Sequence, residues 1–288
     1  MIPIRRILPR GWLAFCSLTL LAAAGTFAFS VRRMRSQESQ PPRTVFVHLF
    51  EWRWQDIARE CEVWLSPKGY AAVQISPPNE HRVIYRPDWN PAVEFPWYQR
   101  YQPVSYKLHS RSGTRTELED MVRRCNDVGV KIYADIVFNH MVISDTGSEI
   151  GIAGSPFSTE LRSYPAVPYN TSSFREDACI IQPRDYRESA DRVRRCQLNG
   201  LQDLKTDDPQ VQQRIADYMN DLISIGVAGF RLDASKHVHP DEIAGILARV
   251  DNLNSKFHPQ GGRPFVFQEV IDLGGERSLP ENISTMDR

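Results

Sequence analysis

DPQVQQRIADYMNDLISIGVAGFRLDASKH, residues 208–237, is the stretch on which the fold turns. Asp208 followed by Pro209 reads as a helix start: the carboxylate can accept from a free backbone N–H, and proline loses nothing in the first turn. Val211, Ile215, Met219, Leu222 and Ile223 then recur at helical spacing until Gly226 stops the run. Residues 227–232 follow at once as a short apolar strand interrupted by Arg231, and Asp233 falls where the strand must give way to a loop. A further helix over residues 241–250 leads to a second apolar run, 264–268, that delivers Glu269. Helices alternating with apolar strands imply a parallel sheet or barrel, and acids at the carboxyl ends of such strands are candidates for chemistry. The competing reading makes Asp233 a helix cap with Arg231 as its ion-pair partner.

The alternation extends upstream. Residues 44–49 read as a strand, followed by a helix with Ile57, Cys61, Trp64 and Leu65 on one face, closed by Gly69. Residues 71–75 form a second strand, and a helix over 116–128 carries Leu118, Met121, Val122 and Cys125 before Gly129. A third strand, 131–138, ends at Asn139 and His140. Two segments break the pattern. Residues 80–113 have no clean period but hold Trp89, Phe95, Trp97, Tyr98, Tyr101 and Tyr106, and long loops of this kind usually carry function. Residues 140–204 are also aperiodic and read as a small inserted domain.

Across 288 residues, 41% hydrophobic and 24% charged is ordinary for a globular enzyme. Lys plus Arg equals Asp plus Glu at 35 each, so net charge offers no case for a nucleic-acid partner. At the amino end, Arg5, Arg6 and Arg10 precede an uncharged run over residues 11–31 with small residues at 22–25. That is a secretory signal, either cleaved or retained as a type II membrane anchor. Arg32, Arg33 and Arg35 follow on the far side, so the positive-inside rule does not orient the segment. The implied divisions are 1–43 leader and linker, 44–139 first part of a parallel sheet or barrel, 140–204 insert, and 205–288 its continuation. Besides Cys16 in the leader, Cys61, Cys125, Cys179 and Cys196 fit an oxidising compartment; four cysteines allow three pairings, and none has metal-type spacing.

Six motifs in order resemble a known family: His48-Leu49-Phe50-Glu51-Trp52-Arg53-Trp54, Ser76-Pro77-Pro78-Asn79-Glu80, Tyr101-Gln102-Pro103-Val104-Ser105-Tyr106, Asp135-Ile136-Val137-Phe138-Asn139-His140, the run from Gly229 to His237, and Phe267-Gln268-Glu269-Val270-Ile271-Asp272. Over residues 44–276 the chain resembles animal α-amylases of the chloride-dependent type. The resemblance implies an α/β fold, a (β/α)8 TIM barrel with the insert after its third strand. It makes Asp233 the nucleophile and Glu269 the general acid/base of a retaining glycoside hydrolase, in which one carboxyl attacks the anomeric carbon and the other assists the leaving oxygen. Arg231, two residues before Asp233 on the same strand face, would bind Cl− and keep a nearby carboxylate ionised. Asn139, the Arg194 carbonyl, Asp203 and the His237 carbonyl match Ca2+ ligands, all oxygen donors as a hard cation requires. Arg195 stands where the family tends to have Asp, which implies weaker calcium binding. Trp97, Tyr98, Tyr101 and Gln102 match a sugar-stacking loop, and His140, Lys236 and His237 match substrate contacts. The resemblance pairs Cys61 with Cys125 and Cys179 with Cys196.

The implied protein is a secreted monomeric α-amylase acting on starch, glycogen and maltooligosaccharides, with no nucleic-acid partner and a membrane association only if the leader is retained. After Glu269 the family would supply three more strand–helix units, a third catalytic Asp in an Asn-His-Asp motif, further chloride ligands and a C-terminal β-domain. Residues 270–288 hold none of these, so the expectation is an incomplete barrel of about five strands, read as a fragment of an active amylase, with negligible hydrolysis if the chain truly ends at Arg288. Two other readings are a non-catalytic, membrane-anchored amylase-like ectodomain and a carbohydrate-binding remnant. Starch binding without hydrolysis separates binding from enzyme, and membrane fractionation separates anchored from secreted.

Overall fold

The computed structural model of the chain describes residues 42–87, 90, 92–176 and 179–277. The leader, Trp89 and the last residues lie outside that set, so the signal or anchor reading falls outside the described residues. Among the described residues no helix is long and apolar enough to cross a membrane. The sheet, the helices and the site all belong to the compact unit that begins at Thr44.

Strand β1 (Phe46–Leu49) leads to helix α1 (Trp54–Glu60), whose last turn widens into a π-helical segment, Cys61–Leu65. Strand β2 (Ala72–Ile75), helix α2 (Arg115–Asp127) and strand β3 (Lys131–Ile136) complete the next unit. Thr114 starts α2 with a reciprocal capping box, its hydroxyl accepting from the Glu117 N–H while Glu117 reaches back to the Thr114 N–H. Trp64, expected on the buried face of the first helix, is instead 53% exposed, whereas Trp54 is buried. The π-turn adds a residue per hydrogen-bonded loop and so rotates Trp64 outward while Cys61 and Leu65 stay in.

The insert builds two small antiparallel ribbons: β4 (His140–Ile143) pairs with β7 (Leu201–Asp203), and β5 (Ser148–Ile150) with β6 (Pro156–Ser158). Between them lie helices α3 (Asp185–Glu188) and α4 (Ala190–Arg195). Met141, Val142, Phe157, Tyr164, Phe174 and Leu204 of this segment belong to the same core as α1 and α2, while Ile181, Val193 and Cys196 form a satellite cluster. Glu80 links the two irregular segments. Fully buried, it accepts from Ser105 Oγ and from the Ala153 and Ser155 N–H groups at 2.9 and 3.0 Å. Burial alone would raise its pKa; these hydrogen bonds overcome that and lower it.

Helix α5 (Pro209–Ser224), capped by Asp208, strand β8 (Gly229–Leu232), helix α6 (Pro240–Leu247) and strand β9 (Phe265–Gln268) finish the described chain. The main sheet is wholly parallel in the order β1-β2-β3-β8-β9, the five-stranded arc of a barrel. Val73, Ile75, Ile132, Ala134, Ile136, Phe230 and Leu232 pack outward against the helices. The opposite face carries Tyr133 and Phe267 and, toward the carboxyl ends, charged residues. Gly229 is required at this inner face, since a Cβ there would meet the Phe265 carbonyl oxygen at 2.4 Å and the Tyr133 ring at 2.8 Å. Disulfides Cys61–Cys125 and Cys179–Cys196 are both formed, the first joining the π-segment to α2.

Candidate active site

Register brings the acids together. Asp135 on β3 stands opposite Arg231 on β8, and Arg231 opposite Phe267 on β9. Alternation then puts Asp135, Arg231, Asp233 and Glu269 on one face at the carboxyl ends. Arg231 is the hub. One terminal nitrogen contacts Asp135 at 2.6 Å and Asp233 at 3.0 Å, and the other contacts Glu269 at 2.6 Å. The second Glu269 oxygen accepts from the Ala234 N–H at 3.0 Å. Ala234 sits in the left-handed region at φ 52°, a conformation costly for a residue with a Cβ, in the turn that follows Asp233. Glu269 is thus held at both oxygens, and the strand ends themselves are tied by Asp233 N–H to the Ile136 carbonyl and Glu269 N–H to the Leu232 carbonyl.

Three carboxylates around one guanidinium leave an excess of negative charge when all are ionised, which favours keeping a proton within the cluster. Burial pushes Asp233 well above the usual carboxylate range, Asp135 and Glu269 add to the rise, and Arg231 opposes it. Asp135, fully buried, is pushed up to about 6 by burial against the pull of Arg231. Burial disfavours the charge on Arg231, yet the three acids outweigh it and raise its pKa. The expected effect of Arg231, holding a carboxylate ionised, is therefore present in sign but smaller than desolvation. Asp135 is a site residue that sequence reasoning leaves without a role, although it opens one of the six motifs. Its parity with Tyr133 on an otherwise apolar strand is the signal that it faces the same side as the acids.

The cluster opens into a cleft of about 530 Å3 whose lining includes Trp97, Tyr98, Tyr101, Gln102 and His140 together with Arg231, Asp233 and Glu269. Trp97, 53% exposed, meets Tyr98 and Tyr101 edge-on with ring centroids 5.9 and 5.7 Å away. These aromatics come from a 3-10 turn, Trp97–Tyr101. The Tyr101 hydroxyl donates to Asp135 at 2.9 Å, so the aromatic wall is fastened to the acid cluster. His140 shares its Nε2 with the Tyr101 carbonyl at 3.0 Å, and burial lowers its pKa to about 4. Lys236 and His237 do not line this cleft. Lys236 donates to the Ile271 carbonyl at 2.8 Å and pairs with Glu276 at 2.9 Å, and the buried His237 ring engages the Val193 carbonyl at 3.0 Å.

The four calcium-type positions lie on neighbouring elements. Asn139 precedes His140, which pairs with Asp203 across β4 and β7, and His237 touches Val193 next to Arg194. In donor type the set suits Ca2+. In charge it falls short: Asp203 is the set's single carboxylate, and its Oδ2 already lies 3.1 Å from the Arg175 Nε. Among the described residues no group of three or more His, Cys, Asp or Glu forms a metal cluster. Nor does Arg231 offer free terminal nitrogens to Cl−, since both are engaged by carboxylates.

Comparison with known proteins agrees with this geometry. The α-amylase catalytic-domain family matches residues 99–260, more than half the chain. The chain belongs to the α-amylase family. It is 52% identical over 235 residues to a pancreatic α-amylase of Rattus norvegicus, covering 81% of this chain and 45% of that protein. A pancreatic α-amylase of Homo sapiens is 52% identical over 247 residues, covering 84% of this chain and 47% of its own length. A mutant α-amylase I from Eisenia fetida, solved with maltohexaose, superposes with a TM-score of 0.78 at 44% identity, covering 85% of this chain and 48% of that one. The chain thus spans about half the length of the α-amylases it matches, and its five parallel strands correspond to part of their TIM-type barrel.

Proposed function

We propose that this chain contributes the catalytic cleft of an α-amylase that cleaves internal α-1,4-glucosidic bonds of starch, glycogen and maltooligosaccharides with retention. The observation that carries the reading is the pairing of Asp233 and Glu269 through Arg231 at the floor of an aromatic-walled cleft. Asp233 is the nucleophile and Glu269 the general acid/base: a retaining mechanism needs one ionised and one protonated carboxyl. Because burial and its acid neighbours hold Asp233 toward the neutral form, attack requires its proton to pass to a neighbouring carboxyl of the cluster, with Arg231 stabilising the anion left behind. Glu269, with its side chain 28% exposed, is the member with access to a leaving oxygen, and the Ala234 N–H and Arg231 hold its orientation. Trp97, Tyr98 and Tyr101 stack on sugar faces, Gln102 and His140 bond hydroxyls, and Lys236 and His237 reach substrate only by leaving their present partners.

The proposal extends to a secreted monomer in which residues 140–204 form a calcium-type insert. Asn139, Arg194, Asp203 and His237 would hold Ca2+ weakly, given Arg175 and Arg195 nearby, and Arg231 would take Cl− only by releasing one of its carboxylates.

The test is turnover of a maltooligosaccharide with a coloured leaving group, alongside binding of unmodified maltohexaose. In a version extended by the rest of the barrel, Asp233→Asn should abolish turnover and leave binding intact; Glu269→Gln should lower turnover by roughly 10²- to 10⁴-fold, the usual share of a general acid. Unchanged turnover in either variant, or loss of binding alone, overturns the assignment.

A further inference from the structure

Arg175 occupies the centre of an acidic cluster that the proposed chemistry does not use. It is 4% exposed, in the loop that precedes Cys179. Its guanidinium touches three carboxylates: Asp203 at 3.1 Å, Asp207 at 3.2 Å and Glu242 at 3.0 Å. Thr206 completes the ring, accepting from Arg175 at 3.2 Å and donating to Glu242 at 2.6 Å. The backbone repeats the join, with the Arg175 N–H on the Asp203 carbonyl at 3.1 Å. Glu242 lies on α6 of the barrel, whereas Arg175 and Asp203 belong to the insert. The guanidinium therefore crosslinks insert and barrel through charge.

A metal ion bound to Asp203 would have to perform the same two tasks, neutralising a buried carboxylate and tying the insert down. Removing a cation from a buried, ionised acid leaves an uncompensated charge, so a resident cation is what lets the acid stay ionised. A second, divalent cation on the same carboxylate would stand close to the guanidinium and be repelled by it. We propose that Arg175 is the built-in counterion of this junction, so that the fold holds without calcium and the guanidinium suppresses calcium binding at Asp203. The inference rests on reading Asn139, Arg194, Asp203 and His237 as the calcium positions.

The test uses the whole chain. Wild type, Arg175→Gln and Arg175→Lys are melted with EDTA and with millimolar CaCl2, and calcium binding is followed by titration calorimetry. Wild type and Arg175→Lys should melt at the same temperature in both conditions. Arg175→Gln should melt lower in EDTA, regain about 5 °C or more in saturating calcium, and bind the ion at least about tenfold more tightly than wild type. If Arg175→Gln does not fold, its refolding yield with and without calcium gives the same readout. A wild type that loses stability in EDTA and regains it with calcium overturns the inference while upholding the calcium positions. A destabilised Arg175→Gln that ignores calcium, in both melting and titration, overturns both.

Discussion

Single residues decide the chemistry and the acid response of this protein in separate places. His81 is a buried imidazole outside the cleft. Its Nε2 accepts the Arg111 N–H at 3.2 Å, so the proton sits on Nδ1, which donates to the Arg82 carbonyl at 2.7 Å. Burial, reinforced by Arg100 and Arg111 and opposed by the Arg82 carbonyl and Glu80, lowers its pKa to about 4. The folded value lies below the ordinary one, so the stabilisation from a neutral ring is complete above about pH 6.5 and is lost as pH falls toward 4, at about 1.4 kcal/mol per unit. Urea unfolding at stepped pH should show wild type and His81→Asn converging in stability across that window; parallel curves would contradict it. Asp135 has the opposite sign. With its value raised to about 6, its neutral form supports the fold below about pH 4, and that support is lost as pH rises through 6.

Elements with strong local signals were legible in sequence. Helix α5 announced itself by Asp208, Pro209 and an apolar stripe, and α2 by its own stripe; strands β2, β3 and β8 stood out as apolar runs between a glycine stop and a loop. What stayed hidden depends on partners far along the chain. The π-turn after α1 carries no compositional mark, the ribbons of the insert are too short at three and four residues to show alternation, and Arg175 reads as one more surface cation until Asp203 and Glu242 are folded against it. The two disulfides act on different scales. Cys61–Cys125 closes 64 positions and Cys179–Cys196 closes 17, so chain entropy assigns them about 4 and about 3 kcal/mol. Double serine variants measured by chemical denaturation should lose stability in that order. A larger loss from the shorter bridge would show that the satellite cluster around Val193, rather than loop entropy, sets its value.

At the level of the whole molecule, the sheet is graded from centre to edge. Strands β2, β3 and β8 each have a neighbour on both sides, whereas β1 and β9 have one among the described residues. Amide hydrogen exchange should be slowest in β3 and β8, where the helices also cover the outer face, and faster in β1 and β9. Equal protection across all five strands would mean that the edges are covered in the intact protein. The cleft at the carboxyl ends is also assembled from distant parts of the chain. Arg231 meets Asp135 across 96 positions, and Ala234 meets Glu269 across another 35, so no local segment contains a working cleft. On the ribosome, a nascent chain that has released β1 to β8 would carry the aromatic wall, the insert and the guanidinium, yet lack the acid that completes the cluster. The three-acid cluster around Arg231 is thereby completed only after β9 has left the exit tunnel and docked, so an unfinished polypeptide lacks the arrangement on which the proposed chemistry depends.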